Sequence, residues 1–168
     1  MKTIISTLLV ACLLALGTGV ANASSTGKSG GGGLPTEIGS SGVKTFIFSP
    51  RAHAWGVYDA EGKRVASGVA NGGAHYCRDI RRGCHTPQGT FTINAKRGAN
   101  CKSSKFPVGK GGAKMPYCSF FRGGYAIHGY AHLTNSNVSH GCIRVSTKNA
   151  AWIQSYLPIG SRVIVKSY

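Results

Sequence analysis

Acidic side chains are nearly missing from this 168-residue chain. Glu37, Asp59, Glu61 and Asp79 stand against 20 lysines and arginines, for a formal charge of +16. A field so unbalanced draws a protein toward polyanions and speeds its encounters with them. The regular interleaving of basic and aromatic residues that single-strand binders use is also missing, which argues against nucleic acid. Long apolar runs are absent as well. The most apolar stretch, Ile4 to Leu16, is too short to span a bilayer comfortably. There are no internal repeats, and the length suits one domain with an ordinary core.

What is present begins with an address. Lys2, the apolar run and Ala21-Asn22-Ala23 before Ser24 form the pattern of a cleaved secretory signal over residues 1–23. Leu9-Val10-Ala11-Cys12 superficially resembles a lipoprotein box, but the apolar run continues beyond Cys12, so cleavage after Ala23 is the expectation. No transmembrane segment then remains, and the protein is expected to be exported to the periplasm or cell envelope. The partner that fits its charge there is an anionic envelope polymer. Residues 24–42 are rich in Gly and Ser, including Gly30 to Gly33, and read as a flexible linker. The domain is expected over 43–168.

Within it, Thr45 to Phe48 is β-rich, and Ala54 to Tyr58 and Lys63 to Val69 flank the turn Asp59-Ala60-Glu61-Gly62, which reads as a hairpin. Thr90 to Ile93, Tyr125 to His128 and Arg162 to Val165 are further strands. Ser146 or Thr147 can cap a helix through Ala150, Ile153 and Leu157, stopped by Pro158 and Gly160. Ala95 to Pro116 is a long, basic, Gly-rich loop of the kind that is usually functional or tied down. The pattern predicts a mostly-β fold, a sandwich or barrel with minor helix.

Five cysteines follow the signal: Cys77, Cys84, Cys101, Cys118 and Cys142. In an oxidising compartment the first four form two disulfides, with three pairings open. The adjacent pairing, Cys77–Cys84 and Cys101–Cys118, is the expectation. A bridge closing a loop of the second size contributes about 3 kcal/mol in the chain-entropy model. One thiol is left over. Cys142 lies in Ser139-His140-Gly141-Cys142-Ile143-Arg144, downstream of Tyr125-Ala126-Ile127-His128-Gly129. A thiol is a weak nucleophile until a base takes its proton, and imidazole is the usual partner. Gly129 and Gly141 allow main chain to approach a substrate closely. His140, two residues away, and His128, from another strand, compete for the base. The amides of Gly141 and Cys142 are candidate oxyanion donors. Arg144 can lower the thiol pKa, hold the turn, or bind a carboxylate. Ser139 is either a helper or a hydroxyl that satisfies the turn. Tyr117 and Tyr125 are candidates for lining a groove, while Phe121 is expected in the core.

Ile127-His128-Gly129 followed by Ser139 to Arg144 resembles the signature of the L,D-transpeptidases, the YkuD-type catalytic domain of bacterial cell walls. Thr86-Pro87-Gln88-Gly89-Thr90-Phe91, Met115-Pro116-Tyr117 and Phe120-Phe121 resemble further family segments. The resemblance implies a YkuD-like β-sandwich that acts without a cofactor or metal. It implies Cys142 as nucleophile, His128 as general base with Gly129 orienting its ring, and His140 in a supporting role. The implied substrate is a peptidoglycan tetrapeptide stem, cut before its terminal D-alanine and passed to an amine, or to water in an L,D-carboxypeptidase. The 128–139 segment is short, which predicts an open loop over the site. The basic insertion from Cys77 to Cys118 is unusual and is expected to reshape the lid or bind anionic wall material. Two rival readings remain at this stage. One is a metal site drawn from His128, His132, His140 and Cys142; the other is a non-enzymatic envelope-binding module.

Overall fold

The computed structural model describes residues 33–168. The expected signal, and residues 24–32 of the expected linker, lie outside the described residues. Nine strands and one helix follow: β1 (Thr45–Ser49), β2 (Ala54–Tyr58), β3 (Arg64–Val69), β4 (Gly89–Thr92), β5 (Ala95–Lys96), β6 (Ser119–Arg122), β7 (Tyr125–Gly129), β8 (Ile143–Val145), α1 (Thr147–Tyr156) and β9 (Arg162–Val165). They form a five-stranded sheet in the order β3-β2-β1-β9-β4 and a four-stranded sheet in the order β5-β6-β7-β8. This is the mostly-β sandwich with minor helix that the sequence predicts.

Alternation decides which face each strand buries. Phe46 and Phe48 of β1, with Val163 and Val165 of β9, point to the shared core. There they meet Phe121, Ile127, Ile143 and Val145 of the second sheet and Ala150, Ile153 and Leu157 from the helix region. Ile47 points the other way, into a smaller cluster with Leu34, Ala54 and Tyr58. A strand buried on both faces needs cover on both. The cover on the outer face is a segment expected to be free. Of the Gly/Ser-rich linker expected over 24–42, the described part is docked. Leu34 is fully buried, the Tyr58 hydroxyl donates to Pro35 O at 2.8 Å, and Arg64 N donates to Thr36 O at 2.8 Å. Leu34, with Ile38 packed beside it, anchors the segment, because Ile47 and Tyr58 would otherwise face water.

The β2–β3 hairpin forms as expected, antiparallel. Ser146 caps α1 by accepting from Asn149 N at 3.2 Å. Strands β5, β6 and β8 were not anticipated, β5 falling within the stretch read as a loop, and β8 matters most. It pairs in parallel with β7, placing Ile127 opposite Ile143, His128 opposite Arg144 and Gly129 opposite Val145. A parallel pair needs a crossover of about a dozen residues. Here the crossover is the irregular stretch 130–142, which the fully buried Asn71 holds down. Its amide donates to Thr134 O, and its carbonyl oxygen accepts from Thr134 N at 2.9 Å. Gly72 N donates to Asn137 Oδ1 at 2.7 Å, and Asn137 Nδ2 donates to Pro50 O at 3.0 Å. The loop expected to be open is therefore tied at both halves. Cys77–Cys84 and Cys101–Cys118 are bridged, with Cα separations of 5.9 and 6.2 Å, and Cys142 is free. No helix among the described residues is long and apolar enough to cross a membrane.

Leu34→Ala should lower stability by about 2–4 kcal/mol in a urea titration. An unchanged midpoint would mean that the segment is a tether after all.

Candidate active site

β7 carries a histidine on a strand buried almost throughout: Ala126, Ile127, His128 and Gly129 are all buried. His128 is 4% exposed. Its Nδ1 lies 2.8 Å from Gly129 O. A carbonyl only accepts, so Nδ1 carries the proton in this contact and Nε2 is left as the basic atom of the neutral ring. Burial holds the imidazole down, to about pKa 4, and the Gly129 bond only partly offsets that. Gly129 is fixed by its own contacts. Its amide donates to Pro116 O at 2.8 Å, and a Cβ there would sit 2.9 Å from Thr147 Cα.

Cys142 immediately precedes β8. Its thiol lies 3.8 Å from Gly124 O. Burial pushes the thiol pKa up, opposed by a hydrogen bond to the Ala126 backbone and by the positive charge of Arg144. The turn before it is closed by one hydroxyl. Ser139 Oγ accepts from Gly141 N at 3.0 Å and donates to Cys142 O at 2.6 Å. Gly141 has φ +110, and a Cβ on it would lie 2.4 Å from the Tyr125 ring. Of the two amides expected to serve an oxyanion, that of Gly141 is thus already engaged by Ser139.

Arg144 is half-buried. Its backbone exchanges bonds with Asn71 at 2.8 and 2.9 Å, and its guanidinium stacks 4.1 Å over the Tyr130 ring. Its Nε is buried without a hydrogen-bond partner. Burial draws its pKa down.

His140 takes a different direction from Cys142. Its Nε2 contacts Asp79 at 2.7 and 2.9 Å, and Phe106 stacks on its ring at 4.1 Å. Neither partner was foreseen, although Asp79 is the only acid between Cys77 and Cys84 and so carried a signal. Tyr125 lines the cleft. Tyr117 does not: its backbone is left-handed (φ 55), its side chain packs on the core, and the cleft is lined instead by its neighbours Met115 and Pro116.

Cys142, His128, Gly129, Ser139, His140 and Arg144 all line one open cleft of about 680 Å³, with residues 102–106 and 113–116 of the Cys101–Cys118 segment forming another wall. The four residues of the metal reading do not form a cluster. His132 is exposed and stands edge-on to Tyr130 at 6.3 Å. Among the described residues, the group of potential ligands that does converge is Cys77, Asp79 and His140, where the sulfur is consumed in a bridge.

A family model described as YkuD, L,D-transpeptidase catalytic domain, matches residues 47–165. No curated protein sequence matches the chain. Among solved structures, the L,D-transpeptidase (residues 123–326) of Xylanimonas cellulosilytica is similar at 28% identity with TM-score 0.67, over 79% of this chain and 64% of that one. An L,D-transpeptidase from Stackebrandtia nassauensis shares the fold at 22% identity and TM-score 0.64, over 78% and 58%. So does an LD transpeptidase solved in complex with imipenem, at 23% and 0.62, over 74% and 59%. The chain thus spans less than two thirds of the length of the structures it matches.

Two outcomes follow from this geometry. Gly141→Ala, which combines a strained φ with a clash against Tyr125, should cost at least about 2 kcal/mol in denaturant and slow thiol labelling of Cys142. His128 should make the fold acid-sensitive. The unfolded imidazole binds its proton near pH 6.5, the folded one only near 4, so stability is complete above the first value. It falls by about 3 kcal/mol as pH drops to the second. Denaturant midpoints against pH should show that fall, and His128→Gln should lack it.

Proposed function

The chain belongs to the L,D-transpeptidase catalytic-domain family, and on that premise we propose that it is an exported peptidoglycan L,D-transpeptidase. The observation that carries the reading is the pair of uncharged groups in one cleft: a free thiol at Cys142 and a buried neutral imidazole at His128 whose Nδ1–H is committed to Gly129. The committed Nδ1 leaves Nε2 to act as general base. Export rests on the signal pattern of residues 1–23 and on two disulfides, which persist in oxidising compartments. A periplasmic or envelope location follows from that reading, with cleavage after Ala23 and a catalytic unit that begins at the docked Leu34.

In this reaction Cys142 attacks the carbonyl that precedes the terminal D-alanine of a tetrapeptide stem, and its proton passes to His128. The new S–C bond replaces the C–N bond, and His128 returns the proton to the departing D-alanine amine. An acceptor amine then attacks the thioester. It gives a proton to His128, the C–S bond breaks, and His128 returns that proton to the Cys142 sulfur. Because burial disfavours both charged forms, thiolate and imidazolium develop together once substrate has displaced water, where each stabilises the other. The Cys142 amide is the donor left for the oxyanion, and the Arg144 charge adds to it. Ser139 acts by holding the turn, and His140 by joining Asp79 and Phe106 to the wall of the cleft. Water in place of the amine would give carboxypeptidase products from the same intermediate.

Incubation with tetrapeptide muropeptides should yield D-alanine and crosslinked or exchanged products by mass. Cys142→Ala should abolish them, and His128→Ala should lower kcat by about 100- to 10,000-fold. Exposure to imipenem should leave a covalent adduct on the peptide that contains Cys142. Tripeptides alone would identify water as the acceptor. A basic binding module would show no product and no adduct.

A further inference from the structure

The cleft has an electrostatic character that thioester chemistry does not require. Arg82, Arg97, Lys102, Lys105 and Lys114 line it together with Arg144. Five of these six cations come from the two disulfide-closed segments and their border rather than from the sandwich strands. Asp79, the acid nearest to them in sequence, is taken up by His140. That is the only side-chain ion pair found among the described residues, Arg64 aside. Glu37, Asp59 and Glu61 lie at the β2–β3 hairpin and the segment docked on it, in the other sheet.

Within this rim the main chain forces like charges together. Lys102 and Lys114 sit opposite each other in an antiparallel bridge. Ser103 N donates to Ala113 O and Met115 N to Cys101 O, both at 2.9 Å, and the Cys101–Cys118 bridge closes the loop below. Like charges facing each other across strands are destabilising. The loop therefore holds an unfavourable arrangement at the mouth of the cleft, and an anion would relieve it.

We propose that this rim selects an acyl donor bearing several free carboxylates over the same peptide with those carboxylates amidated. The proposal rests on the acyl-transfer reading above and adds to it the charge state of the donor. A cleft lined by one sign of charge focuses its field between low-dielectric walls. Each carboxylate that enters gains from that field, whereas a neutral carboxamide of nearly the same shape gains almost nothing. Single exposed pairs contribute little, so the discrimination is a sum over the rim and weakens with salt. Arg144 is the less screened member, half-buried and with no acceptor at its Nε.

Equilibrium binding to Cys142→Ala isolates this claim from turnover. The probes are a tetrapeptide stem with free carboxylates and its fully amidated counterpart, titrated by calorimetry at low and high salt. The acidic stem should bind about tenfold tighter or better at low ionic strength, and the ratio should fall toward one at high salt. Adding Lys102→Gln, Lys105→Gln and Lys114→Gln together should also bring the ratio toward one, with thermal melts to confirm folding. Equal affinities, no measurable binding of the acidic stem, or a preference that survives salt or the triple substitution would overturn the proposal. So would displacement of the acidic stem by a glycerol-phosphate polymer at equal charge, which would assign the rim to a polymer. Failure of the acyl-transfer reading shows elsewhere, as no product from either stem with the unsubstituted protein.

Discussion

The parallel pairing of β7 with β8 is the constraint on which the site depends. Neither strand carries enough residues to be stable alone. Together they set His128 opposite Arg144 and start β8 at the residue after Cys142. Because the strands run the same way, the chain must travel from one end to the other between them, and the polar stretch 130–142 is that return path. Asn71 and Asn137 stand in for the helix that such crossovers usually contain. They satisfy backbone groups that a helix would have satisfied internally. Side-chain amides thus do the work of secondary structure, and the loop is held without becoming regular.

One hydroxyl completes the arrangement. Ser139 Oγ accepts from Gly141 and donates to Cys142, closing a turn whose glycine stands where a side chain would strike Tyr125. The same enclosure holds the thiol and the imidazole in their neutral forms. Both groups are therefore uncharged at neutral pH in the free protein.

Much of this was legible in the residues. The β2–β3 hairpin announced itself through a four-residue turn, and α1 through Ser146 and the Pro158-Gly160 stop. Both are local signals that tertiary packing leaves alone. The odd count of five left one thiol over, and its setting between His140 and Arg144 pointed to Cys142. β8 was hidden since three residues, Ile143 to Val145, carry no period of their own, and their strand character comes entirely from β7 and Asn71. Leu34 was hidden by its glycine-rich surroundings, though with Ile38 packed beside it this residue docks the segment. Tyr117 was misplaced because its left-handed backbone turns the ring inward, which spacing along the chain cannot show. The Asp79–His140–Phe106 contact joins three distant parts of the chain, and only the folded loops bring them together.

The raised pKa of Cys142 has a consequence for how the folded molecule keeps its free thiol. Disulfide exchange and peroxide attack both proceed through thiolates. Once the fold has formed around it, a sulfur kept protonated by its surroundings is a poor competitor for oxidants and for exchange with the Cys77–Cys84 and Cys101–Cys118 bridges. Resistance to oxidation is thus built into the enclosure: the surroundings that keep the thiol protonated also preserve it.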